Sequence, residues 1–343
     1  MNDQSLWTRR QSGFGLIELM VAMAIGLLML LGILTMFTWV SQARVALDKT
    51  SEQLENGRYV TQLLSDEVQM AGFYGVPQIA AEVFTNPTPC ATALADLQFG
   101  FIVNKNTKPV PVYGYSAGST LPACLSSALA GSEALVVRRV ATTPIPVASV
   151  GSGSAGMYVQ ASSCSSDTQI LNTSKTAADF SGVSPKPLLR QKDCATSVTS
   201  VWPYLSRTYF LSAPSGVPTL SVAELDNSGI RIIPLAEGVE DMHLSYGLDF
   251  DADGSPDCFA DDLAGAQPAQ CPSWAGSELD KWSNVTAVSI RFLVRSTETF
   301  RGWTDTRTYD LGRAAASGPF NDAYKRQVFS VAIPLPNVGG PRE

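Results

Sequence analysis

Histidine and charge are both scarce in this sequence. Its 343 residues hold one His, His243, and only 16% are Asp, Glu, Lys or Arg. A single histidine excludes a multi-His metal centre and leaves any catalytic triad one candidate base. The balance of 24 Lys+Arg against 31 Asp+Glu gives a net charge of -7. That is the wrong sign for a nucleic-acid binder, which normally carries a basic patch or stripe. No cysteine pair has the C-x-x-C spacing of a redox or zinc site. What is plentiful is Gly (27) and Pro (21), which with so little charge predicts a turn-rich β protein and not a helical bundle.

The apolar residues are placed unevenly. The run from Phe14 to Val40 carries one charge, Glu18, and the 22 residues from Leu19 to Val40 carry none. About 20 apolar residues span a bilayer as a helix. Arg9 and Arg10 precede the run, so the positive-inside bias puts the N-terminus in the cytoplasm and the remaining chain outside the inner membrane. Ser41-Gln42-Ala43 has the small residues of a signal-peptidase site, but the run is too long for a cleaved secretory signal and carries an acid near its start. A lone carboxylate inside a membrane helix costs about 2.5–3.5 kcal/mol and so marks a function for Glu18. The alternative is a glutamate snorkelling to the interface.

Beyond Val40 the pattern becomes an amphipathic stripe: Leu47, Leu54, Val60, Leu64, Val68 and Ala71, with charged residues between. Gly72 offers a helix stop, and Gly57 marks a place for a kink. From there, short strands are expected over 133–140, 158–161, 207–211, 219–225, 230–234, 242–248, 285–295 and 327–333, many alternating apolar and polar residues. Residues 149–156 and 161–184 read as loops or an insertion. The predicted fold is α+β: a long N-terminal transmembrane and amphipathic helix packed on a β-rich head with antiparallel sheet.

The front of the chain is more specific than a generic span. Gly13-Phe14-Gly15-Leu16-Ile17-Glu18-Leu19-Met20, after a polar leader, resembles the class III signal of type IV pilins and pseudopilins. That resemblance implies cleavage by a prepilin peptidase between Gly13 and Phe14, N-methylation of Phe14, and pairing of Glu18 with the amine of a neighbouring subunit. It divides the chain into a leader (1–13), a transmembrane half-helix (14–40), an amphipathic half-helix (41–72) and a periplasmic head (73–343).

Further segments resemble the PilW family of minor pilins. They are Gly57-Arg58-Tyr59, Met70-Ala71-Gly72-Phe73-Tyr74-Gly75, Leu135-Val136-Val137-Arg138, Glu237-Gly238-Val239-Glu240-Asp241-Met242, Tyr246-Gly247, and Val285 to Arg291 with Leu293-Val294-Arg295. Val76 stands where many relatives place a Cys.

Six cysteines, Cys90, Cys124, Cys164, Cys194, Cys258 and Cys271, in a segment facing an oxidising compartment predict disulfides. Six allow 15 pairings, and the spacing favours neighbours: 90–124, 164–194 and 258–271. The sharpest chemical motif is Asp249-Phe250-Asp251-Ala252-Asp253-Gly254-Ser255-Pro256-Asp257. Acids at alternate positions and a Gly at the sixth match the start of an EF-hand-type loop, which makes Asp249, Asp251, Asp253 and Asp257 candidate calcium ligands. The twelfth position is Ala260, with Asp261 one place late. The bland alternative is a solvated hairpin tip whose aspartates bond their own backbone.

Three functions follow. What the resemblance implies is a non-catalytic minor pilin acting in an initiation or tip complex with other minor pilins, the major pilin and a tip adhesin. A J-type pseudopilin of a type II secretion system shares the plan. From another class comes a periplasmic hydrolase, for which His243 would have to serve as base. Its run Asp241-Met242-His243-Leu244-Ser245 reads as a strand with the histidine facing solvent.

Overall fold

The computed structural model describes residues 13, 15–75, 83–182, 187–195, 199–272 and 274–339. By its contacts the chain divides into two compact units, Met1–Ser51 and Glu52–Glu343. Helix α1 (Leu16–Gln69) contributes residues 16–51 to the first and 52–69 to the second.

In the first unit the helix exposes apolar side chains on every side, Leu19, Ile25, Leu30, Leu34 and Phe37 among them. Among the described residues it is the one helix long and apolar enough to cross a membrane. Two of its hydroxyls are satisfied locally: Thr35 and Thr38 donate to the carbonyls of Gly32 and Thr35, each at 2.8 Å. Such back-bonding suits a lipid surface, where no water would satisfy them.

The second unit holds the sheets. A three-stranded sheet has the order β1-β3-β2, from β1 (Val83–Thr85), β2 (Gly100–Ile102) and β3 (Lys105–Pro109). Next in the chain come β4 (Val112–Tyr115), β5 (Ala134–Val140), β6 (Tyr158–Ala161), β7 (Leu171–Ser174), β8 (Val201–Ser212), β9 (Thr219–Asp226) and β10 (Gly229–Glu237). They form a seven-stranded sheet, β10-β9-β8-β5-β4, with β6 added on β8 and β7 on β6. The third sheet, β12-β11-β13-β14, uses β11 (Val239–Leu248), β12 (Cys258–Ala260), β13 (Val285–Arg295) and β14 (Arg326–Pro334). All pairs are antiparallel except β1 with β3. Short helix α2 (Glu278–Ser283) precedes β13 and opens with a Ser277–Asp280 capping box, and α3 (Pro336–Gly339) follows β14.

Within this unit, α1 buries Gln53, Gly57, Val60, Leu64 and Val68. Val60, Leu64 and Val68 share one core with Leu135, Val137, Tyr209 and Leu220 of the large sheet and with Met242, Ile290 and Phe292 of the four-stranded one. The helical period therefore holds, but the inward row starts differently from the expected stripe. Leu47 is 70% exposed and Leu54 only half-buried, and Gln53 and Gly57 take the inward places. Gln53 can do so because its amide donates to Val294 O at 2.7 Å. Gly57 does so because the Phe329 ring fills its space: a Cβ there would lie 2.3 Å from two ring carbons. The helix continues through Gly57 and ends as expected, with Gly72 at φ +78°.

The eight expected strands are present, several longer at their ends. Those not foreseen are β1 to β4, β7 and β12, of three to five residues each. Runs that short give little alternation to read, and β3 (Lys-Asn-Thr-Lys-Pro) is polar up to its last residue. The region 161–184, expected to be loop, thus contains a strand.

Candidate assembly segment, acidic loop and buried ion pairs

At the start of the apolar helix, Gly13 is exposed and Phe14 lies outside the described residues. Glu18 occupies the first turn, and its Oε2 accepts the Gly15 amide at 3.1 Å. A carboxylate three residues into a helix complements the unpaired N-terminal amides and the positive end of the dipole. Glu18 is exposed amid apolar side chains, a placement in which an incoming amine could reach it.

Residues 249–257 form the turn between β11 and β12, and each aspartate has a backbone partner. Asp249 is 1% exposed and accepts the amides of Ala252 (2.7 Å) and Gly254 (3.0 Å). Asp251 accepts Asp253 N (3.2 Å), Asp253 accepts Ser255 N (2.7 Å), and Asp257 accepts Phe250 N (2.7 Å). Ala252 and Gly254 turn the chain with φ of 63° and 91°. Asp249, Asp251 and Asp257 still bring one oxygen each within 4.8 Å of one another, a set that suits a hard cation. Asp253 is outside that set, and Asp261 is engaged elsewhere. The turn is pinned at its base by the Cys258–Cys271 disulfide; the others join Cys90 to Cys124 and Cys164 to Cys194. These are the neighbour pairs that the spacing favoured.

His243 does not face solvent. It is 4% exposed, with Nδ1 2.9 Å from Glu133 Oε1 and Nε2 3.5 Å from Asp261 Oδ1, the latter an ion-pair distance and too long for a hydrogen bond. Glu133, equally buried, lies just before β5; its Oε2 accepts Leu244 N at 2.8 Å and its Oε1 accepts Arg313 Nη2 at 2.9 Å. Arg313 goes on to Asp241 at 2.6 Å and Met242 O at 2.8 Å. Alternation alone missed this because β11 has both faces covered. Burial pulls the imidazole pKa down, but the Asp261 and Glu133 contacts outweigh it and lift it from 6.5 to about 9. A histidine held protonated at neutral pH is no general base.

Gly114-Tyr115-Ser116-Ala117-Gly118 has the G-x-S-x-G spacing of a hydrolase nucleophile. It spans the end of β4 and a turn followed only by a three-residue 3-10 helix, Ala123–Leu125, so the strand–turn–α-helix context is missing. Ser116 makes only local bonds, its carbonyl accepting Ser119 N at 3.0 Å.

Two other ionic clusters were not legible in sequence. Glu67 on α1 binds Arg139 (2.8 Å) and Arg207 (2.6 Å); burial raises its pKa, and the two guanidinium groups override that and lower it. The fully buried Arg326 meets Glu240, Asp305 (3.2 Å) and Asp322 (2.6 Å). Apart from Asp322, four residues before Arg326, each partner lies far off in the chain, where no local spacing announces it.

Two protein families match the chain. Residues 208–337, from within β8 to α3, match PilW, described as type IV pilus-assembly protein W. Residues 8–34 match the prokaryotic N-terminal methylation motif. No curated protein and no solved structure matches it. The two matches together fit a PilW-family, prepilin-type protein: a type IV pilus-related, pilin-like chain with an apolar N-terminal helix.

Proposed function

We propose that this protein is a minor pilin that takes part in starting or capping a type IV pilus. Its partners in this reading are other minor pilins, the major pilin, a tip adhesin and the prepilin peptidase. The helix stores the subunit in the inner membrane, N-terminus in the cytoplasm and head in the periplasm, until it is drawn into a bundle. The observation that carries the reading is the methylation motif over 8–34 on a helix whose apolar surface is exposed all round except for Glu18. The PilW match over 208–337 favours a pilus over a secretion system. The role is structural, and the charged, ion-paired state of His243 supports that choice over hydrolysis. Glu18→Ala tests it: the chain should still insert and be processed, because losing a charge eases insertion. Recruitment to neighbouring subunits should fail, and normal piliation in a strain carrying only this variant would refute the pairing role.

Calcium at the acidic loop is proposed on narrower support, the convergence of Asp249, Asp251 and Asp257. Its test is the melt described below.

A further inference from the structure

Arg138, in the middle of β5, is 1% exposed, and among the described residues no carboxylate pairs with it. Its terminal nitrogens donate only to neutral oxygens: Val110 O at 3.0 Å, Asn86 Oδ1 at 3.0 Å and Pro87 O at 2.7 Å. Nε has no partner. A guanidinium stays charged at neutral pH, and an interior charge without a counter-charge is strongly disfavoured. The next residue shows the contrast, since Arg139 on the opposite face of the strand is paired with Glu67 at 2.8 Å.

The surroundings of the unpaired edge are rich in donors. In the β5–β8 ladder Ser206 stands directly opposite Arg138, and Tyr204 is the diagonal neighbour on the same face. Tyr204 is fully buried and its hydroxyl has no hydrogen-bond partner. Burial raises the Tyr204 phenol pKa, and the Arg138 charge and the Ser206 hydroxyl both pull against that rise. Three groups that can donate therefore share one buried patch with a net positive charge and, among the described residues, no acid paired with it.

We propose that this patch binds a small monovalent anion of the halide class, held by Arg138 Nε, the Tyr204 hydroxyl and the Ser206 hydroxyl. A halide is a single atom that accepts from all three and supplies the counter-charge that the described residues do not. A water molecule could accept the same bonds but would leave the guanidinium uncompensated.

The test uses the full-length chain in detergent. Thermal melts are run at constant ionic strength while sodium gluconate is replaced by sodium chloride or bromide. Binding to the folded state alone gives a saturable rise in Tm with halide. Tyr204→Phe keeps the ring and removes one donor, so its half-saturating halide concentration should rise several-fold. Arg138→Met should lose the response; if it does not fold, the Tyr204→Phe comparison stands alone. Crystals grown in bromide should show an anomalous peak beside Arg138 Nε. Identical wild-type melts in gluconate and chloride, an unchanged halide response in Tyr204→Phe, or a water with no anomalous signal at that place overturns the proposal.

Discussion

Alkaline solution should weaken the head through one residue, and the sign follows from its partners. The folded chain holds His243 at about 9 against an ordinary 6.5. Because folding raises the value, the stabilisation is complete below about pH 6.5 and is lost as the pH climbs through about 9. The interval corresponds to an upper limit of about 3.4 kcal/mol at about 1.36 kcal/mol per unit. Asp261 is 56% exposed, so solvent screens its share. About 1–2 kcal/mol is a fair remainder, which for a domain of this size is a fall of roughly 2–6 °C in Tm. Among side chains the window is clean, because His243 is the chain's only histidine and no cysteine is free; the α-amine, which also titrates there, is common to wild type and variant. Melts of the full-length chain in detergent at about pH 6, 7.5 and 9.5, beside His243→Gln, read the effect directly. The variant should start lower at the acid end and lose much less on the way up. A wild type that stays flat, or a variant that falls as steeply, refutes the buried ion pair as the source.

Gly57→Ala adds helix propensity of up to about 1 kcal/mol, yet its methyl meets the Phe329 ring. The net result should be a destabilisation of about 1–3 kcal/mol that Phe329→Leu relieves in a double-mutant cycle; additive effects would contradict the contact. If calcium sits on Asp249, Asp251 and Asp257, chelation should lower the melting temperature and calcium should restore it, with about 2.7 kcal/mol at stake at a hundredfold excess over Kd. Magnesium should restore it poorly, since it prefers small octahedral sites and keeps its waters. A flat response to all three would leave a self-bonded turn.

The features legible in sequence were those written in adjacent residues. The apolar run, the Gly72 stop, the longer alternating strands and the acidic turn are all local patterns, and all appear where they were expected. The failures share the opposite property. Gln53 reads as polar and exposed until two distant carbonyls, Val294 and Lys325, are brought to its amide. Gly57 reads as a flaw in a helix until Phe329 arrives from a strand late in the chain. His243 reads as a surface residue until Glu133, 110 positions earlier, pairs with it. Arg138 reads only as part of a resembling segment, because nothing near it in the chain announces a buried charge.

The central claim is that this chain is a processed pilin subunit, and the mass of its own N-terminus decides it most directly. Isolated from membranes of cells with an active prepilin peptidase, the protein should begin at Phe14 and carry one methyl group there. Gly13→Glu should remain at precursor length in the same membranes. A wild-type chain that keeps Met1 in those cells, or one that begins beyond Val40 as a secreted protein would, contradicts the pilin reading.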